Sequence, residues 1–464
     1  MRYLNSILFL CVLSANQAVA QEESIFEKIR KKQTNTSSSS VKLTAQEEQF
    51  KQAYLQELQK FTVQYMQEFA QFKAEYNREL ADYRSRLLAQ WGEVDISDNN
   101  KVVNYPDEET KAAVDFEKQE IIVSIIHNKN DNVDLKKVAA AIDSLRRVKQ
   151  GDITPQTDDN KESSVDIIAE YSGSKVIQKS DELVADAKRE HVTPEVLPAE
   201  KDKETDILDK QATQDARQLD IIGENANISE DDVATVKASV AKSAEQNKIQ
   251  ARQRREQVIQ QNAEKLKDKR ITRFRIPIQP KSEQKRIASV KPDAQKYADA
   301  WQLPLELIIA IIHTESSFNP MAVSHIPAYG LMQIVPYSAG IDINDFLFKK
   351  RAPLQPDYLF NSPQNIEAGA AYLHILDSRY LSAISQPQNR LYCVIAAYNT
   401  GAGNVAKAFS KGKVKKLTKA LAEKINNMQP QQVYDTLINN LPYEETQRYL
   451  KKVKQRMQHY KQII

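Results

Sequence analysis

Between Phe50 and Trp91 the chain repeats itself every eleven residues. Phe50, Phe61, Phe72 and Tyr83 form one series, Tyr54, Tyr65, Tyr76 and Leu87 a second, and Leu58, Phe69, Leu80 and Trp91 a third. Glu57, Glu68 and Glu79 keep the same period. Spacings of four, four and three put all twelve apolar positions on one helix face. A period of about 3.67 residues per turn favours a straight or slightly right-handed path over a heptad coil. No proline interrupts Val41 to Trp91, so the spacing predicts one helix over 41–91, roughly 60–70 Å long at about 1.5 Å per residue. Such a stripe does not stay solvated. It is expected to dock on the N-terminal domain, on a protein partner or on another copy of the chain. A peripheral membrane contact is the competing reading. The seven basic and seven acidic residues of 41–91 balance, so attraction to anionic lipid is absent.

The first twenty residues read as a secretory signal. Arg2 supplies the charged start, Ile7 to Leu13 the apolar core, and Ala18-Val19-Ala20 a small-residue cleavage site before Gln21. The apolar stretch is too short to span a bilayer. Cys11 lies in that core behind Leu8-Phe9-Leu10 rather than behind a small residue, which argues against lipidation. After cleavage only Cys393 remains, so no internal disulfide can form. In the apolar run YCVIAAY it reads as an inert buried thiol. The expected address is the periplasm.

Residues 21–40 end in KKQTNTSSSS and read as a flexible tether. From Gly92 to 285 the pattern is that of a small α+β domain. Lys101–Tyr105, Lys111–Phe116 and Glu120–Ile126 resemble strands, the last two a hairpin. Val133–Val148 reads as a helix, and Ser229–Lys267 as another, with Ser229 as its cap. Arg273–Ile278 reads as one more strand. The polar, acidic stretch 150–225 has weak periodicity and reads as a partly disordered insert.

From Arg286 onward helices dominate. This part carries 21 Lys and Arg against 13 Asp and Glu within a chain of net charge +3. A basic C-terminal part suits an anionic partner or substrate. Six of the chain's ten glycines fall between Gly330 and Gly412, where loops approach something closely or need positive φ. Leu305 to Ile312 is almost wholly apolar and carries one carboxylate just beyond its end, Glu315. Asn319-Pro320 is expected to stop that helix. An apolar wall and a helix C-terminus both disfavour a carboxylate anion, so the Glu315 pKa is expected to rise. A carboxylic acid still protonated near neutral pH is what a general acid needs. On this stretch alone, a glutamate capping a buried helix at the surface is an equal alternative.

Four signatures occur in order: ESSFNP from Glu315, GLMQ from Gly330, AYNTGAG from Ala397 and ETQRYL from Glu445. Together they resemble the lytic transglycosylases of bacterial cell walls, over about 290–460. The resemblance implies a helical fold like that of goose-type lysozyme. The stretch 92–285 is faintly similar to the N-terminal domain of a membrane-bound member, chiefly in KVVNYPDEETKAAVDFEKQEIIVSI and RITRFRIPI. Such members are usually lipoproteins, from which this signal departs, although outer-membrane association would follow from the likeness. The eleven-residue repeat lies outside what the resemblance covers.

By that resemblance Glu315 is the lone acid and base. Ordinary glycosidases need two carboxylates flanking the bond. Gln333 and Asn399 can each donate and accept, which suits amino-sugar amides and hydroxyls, although Asn399 before Thr400-Gly401 could equally form a turn. Met332 could pack on a sugar face or belong to the core. The resemblance assigns Tyr398 and Tyr449 to hold the acid or the substrate's acetamido group. Ser324 matches the serine of the family's NPxAxS run. His313 sits on another face of the helix and reads as packed. No His, Cys and carboxylate set has metal-site spacing, and Gly401-Ala402-Gly403 follows a helix rather than a strand, so neither metal nor cofactor is expected.

The expected fold is therefore mostly α: a long N-terminal helix, a small α+β domain at 92–285 and an all-helical lysozyme-like domain at 286–464. The expected function is exported cleavage of peptidoglycan glycan strands with 1,6-anhydro-muramic acid ends, and no nucleic-acid partner. A muramidase that uses water, or a non-catalytic cell-wall-binding protein built around the long helix, are the competing readings.

Overall fold

The computed structural model describes residues 45–149, 164–168, 180–185, 187–194, short pieces between 208 and 220, 229–277, 282–324, 328–336, 338–350 and 352–464. The signal 1–20, the tether 21–40 and most of 150–225 lie outside them. Helix α1 runs Ala45–Trp91 without a break. Of the predicted stripe, Phe50, Tyr54, Leu58, Phe61, Tyr65, Phe69, Phe72 and Tyr76 lie outside the described side chains. Leu80, Leu87 and Trp91 are buried and Tyr83 is half-buried.

Strands β1 (Lys101–Asp107), β2 (Thr110–Asp115) and β3 (Glu120–Asn128) form an antiparallel meander. Helix α2 (Leu135–Ser144) follows, capped by the Asp134 side chain, which accepts from the Lys136 amide. Two short strands, β4 (Val148–Lys149) and β5 (Ser164–Val165), pair with each other. Then come α3 (Ser180–Ala185), β6 (Lys188–Val192), α4 (Glu230–Lys267) and β7 (Lys269–Pro277). The five-stranded sheet has the order β1-β2-β3-β7-β6, antiparallel throughout. Strand β6 was not expected inside 150–225. Its KREHV is mostly exposed and lacks an apolar alternation, because an edge strand needs only one paired neighbour.

Strand β3 is apolar on both faces because both are covered. Ile121, Val123 and Ile125 face Val138 and Ile142 of α2. Ile126 faces Leu87 and Trp91 of α1 and Leu266 of α4. Helices α1 and α4 run parallel, with Met66 beside Val236 and Val240 and, further along, Asp82 paired to Arg254 at 2.6 Å. Among the described side chains, the long helix packs on its own chain, one of the dockings expected of it. The seam is not wholly apolar: Lys73 pairs with Asp215 at 3.4 Å, each 2% exposed. Burial pulls the lysine pKa down and pushes the aspartate up, while their mutual attraction opposes both. Trp91 closes the seam onto the sheet, edge-on to Tyr105 and under the Lys111 ammonium.

The C-terminal part is helical: α5 (Ser282–Trp301), α6 (Leu305–Ser316), α7 (Ala339–Phe348), α8 (Pro356–Phe360), α9 (Ser362–Ile375), α10 (Pro387–Thr400), α11 (Ala402–Ser410), α12 (Lys419–Asn426), α13 (Pro430–Asn440) and α14 (Glu444–Ile463). Leu307 to Ile312 are all at most 1% exposed, so α6 is apolar on every side and lies at the centre. One continuous core joins it to the α2 face of the sheet. Among the described residues no helix is long and apolar enough to cross a membrane.

Trp91, fully buried, should be among the most costly side chains to truncate. Trp91→Ala is expected to destabilise the fold by about 3–5 kcal/mol. Denaturant unfolding of the purified protein measures it.

Candidate active site

Helix α6 ends at Ser316, earlier than Asn319-Pro320. Ser317 and Phe318 take positive φ, 52° and 67°, and turn the chain away. Ordinary side chains rarely adopt that region, and it is costly unless the surroundings enforce it. Here Phe318 is buried against His313, ring centroids 5.3 Å apart, and Ser316 Oγ donates to Leu331 O at 2.8 Å. Glu315, in the last turn, is half-buried.

The Leu331 carbonyl belongs to the GLMQ loop. That loop hangs on Asn365 of α9, fully buried. Its Oδ1 accepts from the Met332 amide at 2.7 Å, and its Nδ2 donates to Tyr329 O and Leu359 O. Gly330 has φ +74°, and a side chain there would strike Asn365 and the Leu359 carbonyl. The Met332 side chain is sealed into the core against Gly369. Of the two settings considered for it, a sugar face and the core, the side chain takes the core, and its carbonyl accepts from Tyr398. Gln333, at φ 50° and 9% exposed, donates through Nε2 to Ala322 O (3.0 Å) and Gly330 O (2.9 Å). Its Oε1 is buried without a hydrogen-bond partner among the described residues.

Tyr398 of α10 donates its hydroxyl to Met332 O at 2.8 Å and leans on Tyr372, ring centroids 5.6 Å apart. Burial, then the Glu315 charge, then Tyr372 hold its phenol well above the ordinary range. Tyr449 of α14 is likewise raised by burial first, then by the Glu315 charge, then Tyr398 and a contact with the Glu315 carboxyl. The Tyr449 hydroxyl is buried beside that carboxyl. Both phenols are neutral throughout the physiological range. Asn399 accepts at Oδ1 from the hydroxyl of Thr446 at 2.7 Å, which orients its amide. Ser324 pairs with Ala328 across a short turn, its amide donating to Ala328 O at 3.1 Å and its Oγ accepting from the Ala328 amide at 3.3 Å.

The structure thus gathers Glu315, Tyr398 and Tyr449, sets Met332 O and Gln333 on one loop tied to Tyr398, and fixes Asn399 from α14. Sequence reasoning missed Thr446, Tyr372 and Asn365. Thr446 had a signal, since it lies one turn before Tyr449 on the same helix. Tyr372 and Asn365 had none, because Tyr398 lies 26 residues from Tyr372, and Met332 and Tyr329 lie 33 and 36 residues from Asn365. His313 is packed, as its face of the helix suggested. Its Nδ1 meets the Tyr460 hydroxyl at 2.6 Å. Among the described residues no group of three or more His, Cys, Asp or Glu could hold a metal ion.

Residues 293–421 match the family model of the Transglycosylase SLT domain. Glu315, Gln333 and Asn399 lie within the matched span, while Thr446 and Tyr449 lie beyond it. At the level of whole proteins, the chain is 42% identical over 186 residues to the membrane-bound lytic murein transglycosylase C of Pectobacterium atrosepticum, covering 40% of this chain and 50% of that protein. It is 44% identical over 177 residues to the protein of that name from Klebsiella pneumoniae, covering 38% and 46%. The chain therefore spans about half the length of the relatives it matches. The lytic transglycosylase Slt of Pseudomonas aeruginosa overlaps with a TM-score of 0.29 at 20% identity, covering 55% of this chain and 37% of that one. A superposition that partial carries no inference.

His313 yields a pH prediction. Burial, then the charges of Arg456, Arg286, His459 and Lys452, push its pKa down from 6.5 to about 3. Between those values the unfolded chain binds a proton at 313 that the folded chain does not, so stability falls as pH drops through the window. Above pH 6.5 the residue has no such effect. His313→Gln should flatten this acid slope, read by denaturant unfolding at pH values from about 4 to 7.

Proposed function

We propose that this protein is an exported lytic transglycosylase that cleaves the β-1,4 bond from N-acetylmuramic acid to N-acetylglucosamine in peptidoglycan, with Glu315 as sole acid and base. One observation carries the reading: Glu315 is the carboxylate whose charge acts on both buried phenols, Tyr398 and Tyr449. Hydrolysis by water would call for a second carboxylate, and among the described residues Glu315 is the carboxylate that acts on these phenols. A single carboxylate suits attack from within the substrate.

In that sequence Glu315 gives its proton to the oxygen leaving the muramic acid. The sugar's own acetamido group stabilises the cationic centre. Glu315, now the carboxylate, takes the proton of the 6-hydroxyl, whose oxygen closes on the anomeric carbon. The product is a 1,6-anhydro ring, and no water is consumed. The Gln333 Oε1 is a buried acceptor suited to a sugar N–H or O–H. Asn399, Tyr398, Tyr449 and Ser324 complete the proposed substrate contacts. Met332 contributes only through its backbone. The basic surplus of 286–464 suits a glycan bearing acidic stem peptides. The signal at 1–20 and the membrane-bound relatives support an envelope address, with cleavage after Ala20.

Glu315→Gln keeps the shape and loses the transferable proton. It should fold yet lose at least about 10²–10⁴-fold in rate. Mass spectrometry of digested peptidoglycan decides the class. Anhydro-ended fragments from the wild type support the proposal, and reducing-end fragments reject it in favour of a muramidase.

A further inference from the structure

The turn that follows Glu315 is fastened to the N-terminal sheet at two points. Arg286, near the start of α5 and 4% exposed, donates through Nη1 to the carbonyl of Phe116 at 3.2 Å. Its guanidinium also lies over the Phe318 ring, 5.5 Å from the centroid. The next residue, Asn319, is fully buried and donates through Nδ2 to the Asn99 carbonyl at 3.3 Å. Its Oδ1 accepts from the Met321 amide at 3.0 Å. Asn99 precedes β1 and Phe116 follows β2. The Phe116 amide donates to Asn100 O at 2.8 Å, so the two anchors are one corner of the sheet.

What they hold is the strained part of the helix exit. Ser317 and Phe318 stay at positive φ only if their surroundings over-determine it. Glu315 lies two residues before Ser317, so any relaxation there swings its carboxyl. We propose that Arg286 and Asn319 are positioning residues, through which the N-terminal sheet sets the direction of the Glu315 carboxyl. The sheet is then a working part of the site and not merely a module beside it. The inference rests on the reading of Glu315 as acid and base.

A purely structural brace would lower the folded fraction and every kinetic constant with it. A positioning brace lowers kcat in molecules that remain folded and still bind glycan. A displacement near 1 Å can cost on the order of 10²-fold. In the full chain, Arg286→Met keeps the stem and removes the guanidinium. It should lose about 10-fold to 10²-fold in kcat with KM unchanged, and speed amide exchange across 317–322 without lowering the unfolding midpoint. Arg286→Lys, which keeps the charge and a donor but not the flat stack, should recover part of the loss. If Arg286→Met does not fold, Asn319→Ser severs the link to Asn99 and should give the same kcat-specific loss.

Wild-type kcat and wild-type exchange in Arg286→Met would overturn the positioning role. So would a loss confined to KM, or one that tracks the folded fraction. A wild type that releases no anhydro-ended product fails the reaction reading alone, because exchange across 317–322 still decides whether the sheet holds the turn.

Discussion

Six consecutive side chains that water does not reach, Leu307 to Ile312, dictate the C-terminal part of this molecule. A helix apolar on all sides has no solvent face, so other helices must surround it completely. Its polar groups can emerge only at its ends. Glu315 stands near one of them, partly buried, just before the fully buried Ser316. The helices that wrap α6 also bring Tyr449 to that exit, and α10 adds Tyr398. The site follows from how the core is closed.

The exit is made rigid by backbone strain rather than by proline. Two non-glycine residues at positive φ each cost about 1–3 kcal/mol, and a third, Gln333, lies on the facing loop. The compensation is a dense set of side chain to carbonyl bonds. Ser316 holds Leu331 O, Tyr398 holds Met332 O, and Gln333 holds Ala322 O and Gly330 O. Asn365 ties the loop from behind. Many polar groups named by the motifs therefore hold backbone in place. Position 369 must be glycine for a related reason, since any side chain there would meet the Met332 sulfur.

Periodicity made the secondary structure legible. The α1 helix, the β1-β2-β3 meander and the Ser229 cap of α4 all carry local signals, and all stand in the structure. Strand β6 carried none, because its edge position asks for no alternation. The α1 seam was partly legible: Leu80, Leu87 and Trp91 belong to the stripe, but buried Lys73 and Arg84 do not. A lysine enters a seam only where a distant carboxylate meets it, and Asp215 is 142 residues away. Glu315, Gln333, Asn399 and the two tyrosines carry motif signals. Thr446 carried only its place one turn before Tyr449; its contact with Asn399, 47 residues away, like those of Tyr372 with Tyr398 and Asn365 with Met332, is set by packing across the fold. For Met332 the sequence left a sugar face and the core both open, because a thioether in a glycine-flanked motif fits either, and the structure buries it in the core.

The two phenols at the exit divide the work. Tyr398 gives its hydrogen to the Met332 carbonyl, and so fixes the loop. Tyr449 keeps its hydroxyl toward Glu315. Because burial and the carboxylate both hold these phenols neutral, neither can take the acid's proton. The proposed reaction asks the Glu315 oxygens to release a proton in the first half and accept one in the second. A neighbour that neither takes nor gives up a proton leaves that exchange to the carboxyl group and the substrate alone.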